Sequence, residues 1–184
     1  EETISKIRGG QIDVLTSMDN QWSPQINLGV SVLIPETYVS DLDVRLGLYR
    51  RLSNLNKKVE FEGFAAELID RFGKLPSEVN TLLLVVRIKS VCKKAGIGKL
   101  DGGPKGATVQ FHNDKFISPE GLVEFIKNQN GTAKIKDNKL IIRRDWKKNS
   151  DKFKGAFAIA RDLAEIAASF EKNIQKKQKS NFLN

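Results

Sequence analysis

At Gly96 the spacing of apolar residues changes, dividing the chain into a helical half and a half built of short strands. Before it, apolar residues recur three and four apart, the period of a helix with one buried side. Leu42, Leu46, Tyr49 and Leu52 share one side of a helix expected from about Asp41 to Leu55. A second helix is expected from about Glu60 to Phe72, where Phe61, Phe64, Ala65, Leu68 and Phe72 form one stripe at about 100° per residue. Gly73 suits the position just past its end, because glycine accepts a left-handed conformation without steric strain. Pro76 suits the first turn of a third helix running to about Ala95. That helix is nearly apolar through Leu82 to Val86, which places it at the centre of the packing.

After Gly96, Ile97 to Leu100 and Thr108 to Phe111 read as strands joined by the turn DGGPKG. Ser118 and Pro119 form a cap and first-position pair for a short helix, Glu120 to Asn128. Ala133 to Ile135 and Leu140 to Arg143 flank Asp137 and Asn138, a two-residue hairpin turn. A last helix begins near Ser150 and carries Phe153, Phe157, Ala160, Ala164, Ala167 and Phe170 on its expected apolar face. Upstream, Ile26 to Ile34 is rich in β-branched residues and reads as a strand closed by Pro35. Residues 3 to 8 suit the last turns of a helix stopped at Gly9 and Gly10, followed by a polar linker to about Ser23. The expected fold is α+β: a three-helix N-terminal part, then a small antiparallel sheet with a short helix and a long C-terminal helix. Residues 1–25 read as a linker, 26–170 as one domain and 171–184 as a basic, frayed tail.

Composition narrows the function. The chain starts at Glu1 with no charged-then-apolar leader, and reads as a fragment of a larger polypeptide. The apolar run Leu82 to Val86 is far short of the roughly 20 residues needed to span a bilayer, so no membrane partner is expected. One cysteine, Cys92, and one histidine, His112, can assemble neither an internal disulfide nor a Cys/His metal cluster; a cytoplasmic location fits. The net charge is +9, but residues 134–184 hold 14 Lys/Arg against 6 Asp/Glu, leaving 17 against 16 in residues 1–133. The basic end, KNIQKKQKSNFLN, lacks the interleaved aromatic residues of a base-stacking surface.

Chemical motifs are scarce. GGPKGAT, Gly102 to Thr108, has glycines, a lysine and a threonine, but Lys105 precedes the last glycine and a strand follows, so a hairpin fits better than a phosphate loop. His112 lies at a strand end with no accompanying nucleophile motif and reads as exposed. Cys92 falls in an apolar segment and reads as a small buried thiol. No catalytic residues, cofactor or metal ligands are expected in this chain, which points to a binding or regulatory module. In ELIDRFGKLP, Glu67 to Pro76, Asp70 points away from the apolar stripe and Glu67 sits beside it. Both carboxylates are then free for a partner, although Glu67 and Arg71 are also spaced for a helical ion pair worth about 0.2–0.5 kcal/mol.

Three blocks, VLIPETYVSDLDVRLGLYRRL (Val32 to Leu52), AELIDRFGKLPSEVNTLL (Ala66 to Leu83) and AGIGKLDGGPKGATVQF (Ala95 to Phe111), resemble the C-terminal domain of bacterial transcription-repair coupling factors, the Mfd family. The resemblance covers about Asn27 to Ile166 and departs at Lys74, where proline is common, in the first 20 or so residues, and beyond Ser169. It implies a parent protein that uses ATP and magnesium to translocate on double-stranded DNA, pushes stalled RNA polymerase, and recruits the excision-repair protein UvrA through a UvrB-like module. The domain's implied role is autoinhibitory: it docks on that module, masks the UvrA-binding surface and restrains the motor. The residues that the resemblance assigns to docking are Glu67, Asp70 and Arg71. The competing expectation is an accessory nucleic-acid-binding domain using the basic C-terminal third.

Overall fold

A computed structural model describes residues 22–182. The helix end expected over residues 3–8, and most of the linker after it, lie outside the described residues. The chain divides into two compact units: one contains residues 29–90, the other residues 24–28 with the chain from Val91 onward.

The first unit is built of helices. α1 (Leu42–Ser53) starts where the Asp41 carboxylate accepts the Val44 N–H at 2.9 Å, satisfying a donor the helix cannot satisfy itself. α2 (Lys58–Phe72) starts where Glu60 reaches back to the N–H groups of Asn56 and Lys57, at 2.7 and 3.0 Å. It ends at Gly73, whose φ of 86° favours glycine and whose N–H returns to Ile69 O at 2.9 Å. α3 (Ser77–Lys94) follows Pro76, and its residues through Ser90 belong to this unit. The core joins Leu48 and Leu52 of α1, Phe61, Phe64 and Leu68 of α2, and Val79, Leu82 and Val86 of α3, with Ile34 and Val39. The buried side of α1 is turned from expectation: Leu42 is exposed, while Val44, Leu48 and Leu52 face inward. The Tyr49 hydroxyl accepts the Ile34 N–H at 2.7 Å, which draws that side of α1 toward the segment entering it.

The second unit holds a five-stranded sheet in the order β1-β2-β3-β5-β4: β1 (Gln25–Asn27), β2 (Ile97–Gly103), β3 (Gly106–Phe111), β4 (Ala133–Lys136) and β5 (Lys139–Arg143). Four strands are antiparallel as expected, but β1 joins β2 in parallel, so the sheet is mixed. The expected strand from Ile26 to Ile34 is cut to three residues, because Gly29 at φ 65° leaves the extended conformation. GGPKGAT is a hairpin with Pro104 and Lys105 at its tip. Gly106, at φ 118°, allows the chain to pass Ile142 O, which a Cβ would meet at 2.0 Å. Asp137 and Asn138 turn with φ of 51° and 57°, both positive as a two-residue hairpin of this hand requires.

α4 (Pro119–Lys127) is capped by the Ser118 hydroxyl, which accepts the Gly121 N–H at 3.2 Å. α5 (Asn149–Phe182) lies against β2, β3 and α4. Its buried line is Ala156, Ile159, Ala160, Leu163 and Ala167, so the phenylalanines expected to lead that face are only half-buried. Trp146 explains the rotation, since its indole lies where a Cβ on Gly155 would be, 2.2 Å from a ring carbon. The basic segment read above as a frayed tail is helical through Phe182, and residues 171–178 are exposed.

Candidate functional site

α2 turns Phe61, Phe64 and Leu68 into the first unit's core, which fixes the direction of every other residue on the helix. Its end is anchored as well. The Tyr38 hydroxyl lies 3.0 Å from Leu68 O and 2.9 Å from Gly73 O, and the Tyr38 and Phe72 rings meet edge to face at 5.8 Å. Burial raises the Tyr38 hydroxyl's pKa above its ordinary value, so it remains a hydrogen-bond donor.

Glu67 is not free. Arg51, from the last turn of α1, grips both carboxylate oxygens at 2.7 and 2.5 Å, and Arg71 reaches one of them at 3.1 Å from one turn further along α2. The Arg51 hydrogen bonds, aided by Arg71 and the positive charge of both, hold the Glu67 carboxyl down at about 2. Arg51 also lies over the Phe64 ring at 5.2 Å, and Arg71 over the Phe72 ring at 4.8 Å, so both guanidiniums are braced by aromatic faces. The helical pair of Glu67 with Arg71 is the one its spacing predicts. Arg51 was missed because it lies 16 residues upstream, a separation that no helical period connects. Its only sequence signal is the Arg50–Arg51 doublet at the end of α1.

Asp70 is different. It is exposed on α2 and makes no hydrogen bond or ion pair among the described residues. Beside it Ile69 is 50% exposed, and Val59, two turns or more toward the start of the helix, is 68% exposed. The outer side of α2 therefore offers one unpaired carboxylate, two open aliphatic side chains and a fixed Glu67–arginine cluster at its margin.

Elsewhere the chemistry is sparse. Cys92 is fully buried, and desolvation pushes its thiol up to about 12, which removes the thiolate needed for reaction. His112 is half-buried just past β3, not exposed as its strand-end position suggests. Among the described residues no group of three or more His, Cys, Asp or Glu could hold a metal ion. No helix of the described residues is long and apolar enough to cross a membrane.

A family model described as the TRCF domain matches residues 28–122, a stretch that includes all of α1, α2 and α3. The chain belongs to the TRCF domain family. Among its relatives, this TRCF domain is 46% identical over 126 residues to the transcription-repair-coupling factor of Rickettsia bellii, covering 68% of this chain and 11% of the relative. With that of Escherichia coli it shares 30% identity over 129 residues, covering 70% of this chain and again 11% of the relative. The chain thus spans about a tenth of the length of these relatives. The crystal structure of the C-terminal domain of a transcription-repair coupling factor has the same fold: TM-score 0.67 at 23% identity, covering 83% of this chain and 99% of that one.

Proposed function

We propose that this TRCF domain is the regulatory clamp of a transcription-repair coupling factor. It docks through the outer side of α2 on a UvrB-like module of the same polypeptide. Docking masks the surface that UvrA would bind and restrains an ATP- and magnesium-dependent translocase acting on double-stranded DNA and RNA polymerase in the cytoplasm. The observation that carries the reading is Asp70, an unpaired carboxylate held on a rigid helix whose neighbouring carboxylate is already consumed by arginines.

The three docking residues expected from sequence therefore divide their work. Asp70 meets a basic group on the partner, while Glu67 and Arg71 form, with Arg51, the brace beside it. Holding a clamp closed in 99 molecules of 100 takes about 2.7 kcal/mol. An exposed ion pair contributes about 0–1 kcal/mol, so Asp70 alone is insufficient. Removing the open parts of Val59 and Ile69 from water adds about 1–1.5 kcal/mol each, which closes the gap. The clamp is then strong enough to rest shut and weak enough to be opened by the motor.

The test is Asp70→Arg in the full-length parent. The expected result is tighter UvrA binding and faster ATP hydrolysis, with the far-ultraviolet spectrum of the isolated domain unchanged. Unchanged UvrA affinity and ATPase rate in that variant, and in Val59→Asp/Ile69→Asp, would sink the reading.

A further inference from the structure

The sheet of the second unit has one face packed by α5 and one face open, and the register shows what stands on the open one. Lys136 pairs with Lys139, and Lys139 with Gln110; Lys134 pairs with Ile141, and Arg143 with Gly106. Paired residues share a face, and so do residues two apart on a strand. Lys134, Lys136, Lys139 and Arg143 therefore project together, and all four are exposed. Adjacent strands are about 4.8 Å apart and alternate residues about 6.8 Å apart, so the four charges occupy a patch roughly 10–15 Å across.

None of the four has an ion-pair partner among the described residues. Two carboxylates border this face and neither pairs with the four: Asp101 is 3.3 Å from Lys99, and Asp114 accepts from the Gln110 side chain at 3.3 Å. Asp137 lies at the hairpin turn, so the patch keeps most of its positive charge. Lys136 and Lys139 directly oppose each other, an arrangement that destabilises a hairpin and that folding alone would not select.

We infer that this open β4–β5 face binds the phosphate backbone of double-stranded DNA without reading its sequence. Duplex DNA presents one charge per about 1.7 Å of its axis, so a patch of this width faces several phosphates at once. The face has no aromatic side chain to stack a base, which disfavours a single strand. It also lacks the aromatic or buried arginine anchors around which protein interfaces are centred, and lysine is depleted in such interfaces. The patch is a different surface from α2, so the inference stands or falls apart from the clamp. It also differs from the lysines near the end of α5, where Lys172, Lys176 and Lys177 are exposed.

The experiment is fluorescence anisotropy of the full chain with a labelled mixed-sequence duplex in sodium chloride. Four phosphate contacts predict a slope near −3.6 in log K against log salt, a loss of about 100-fold between about 50 and 200 mM. Lys134→Gln/Lys139→Gln should weaken binding about tenfold or more at the lower salt and reduce the slope by about 2. Lys136→Gln/Arg143→Gln should do the same, and unchanged circular dichroism excludes a folding defect. Lys172→Gln/Lys176→Gln/Lys177→Gln should leave affinity within about twofold. The inference is overturned by no duplex binding at about 50 mM salt, or by sheet variants that bind like the parent chain. It is equally overturned if the α5 variant alone loses binding, or if labelled single-stranded DNA or polyglutamate binds more tightly than the duplex.

Discussion

The charged cluster on α2 and the charged face of the β4–β5 hairpin look alike as sequence and are opposites as structure. On α2, Glu67 is surrounded: Arg51 and Arg71 take its oxygens, and both arginines rest on phenylalanine rings. On the hairpin, four cations stand together with no carboxylate drawn against them. A charge answered within the fold contributes to folding, whereas a charge left unanswered, or opposed by its like, is available to something outside. By that criterion Asp70 belongs with the lysines of the hairpin and Glu67 does not. The contrast makes quantitative demands, because removing a charge should have opposite effects on stability in the two places.

The largest effect tests whether α2 is held as firmly as the contrast requires. Leu68 is 1% exposed in the first unit's core, and its neighbour Ile69 is 50% exposed. Leu68→Ala should destabilise by about 2–5 kcal/mol, the range for deleting a buried leucine side chain and leaving its cavity. Ile69→Ala should change stability by less than about 0.5 kcal/mol. Denaturant titration of both variants decides the matter. Similar losses would mean that the outer side of α2 is not open, and the docking surface would have to be sought elsewhere.

A middle effect tests the brace itself. The Glu67 carboxyl is lowered from 4.5 to about 2, chiefly by the Arg51 hydrogen bonds, so the folded state binds its proton less readily than the unfolded chain does. A depressed carboxylate contributes stability that is fully present above about pH 4.5 and is lost as pH falls through the range down to about 2. The Glu67 side chain remains 33% exposed, so solvent screening limits the contribution to about 1 kcal/mol. Glu67→Gln should therefore be about 1 kcal/mol less stable than the parent near neutral pH and nearly equal to it near pH 2, by denaturant titration across that range. A difference that stays constant with pH would show that Arg51 and Arg71 do not act on the ionised carboxylate.

Much of this was legible in the sequence because it is governed by neighbours. The three helices, the Ser118–Pro119 start, the Asp137–Asn138 turn and the hairpin in GGPKGAT follow from periods and turn residues within a few positions. What was not legible depends on partners that no helical or strand period connects. β1 is parallel to a strand more than 70 residues away, Arg51 meets Glu67 across 16, and the rotation of α5 follows from Trp146 settling against Gly155. The open basic face is intermediate. The two-residue turn at Asp137 and Asn138 already sets Lys136 opposite Lys139, but only the sheet and the helix packed on it show which side of the hairpin is left open.

The smallest effect concerns that opposition, and its sign is the informative part. Lys136 and Lys139 stand across from each other beside the turn, and directly opposed like charges destabilise a strand pair. Lys136→Thr removes one charge and introduces a β-branched residue suited to a strand. β4 is the edge strand, and Lys136 is exposed, so no buried contact is lost. The substitution should raise stability by about 0.3–0.5 kcal/mol at low salt. The gain should shrink as salt rises, because screening already weakens the repulsion that the substitution removes. Paired denaturant titrations in about 20 and 500 mM sodium chloride measure both quantities. A loss of stability at low salt would mean that Lys136 is answered within the fold after all, placing the hairpin with Glu67 rather than with Asp70. A gain accompanied by weaker duplex binding would show that the chain retains a lysine its hairpin would be more stable without, as a surface kept for an outside partner requires.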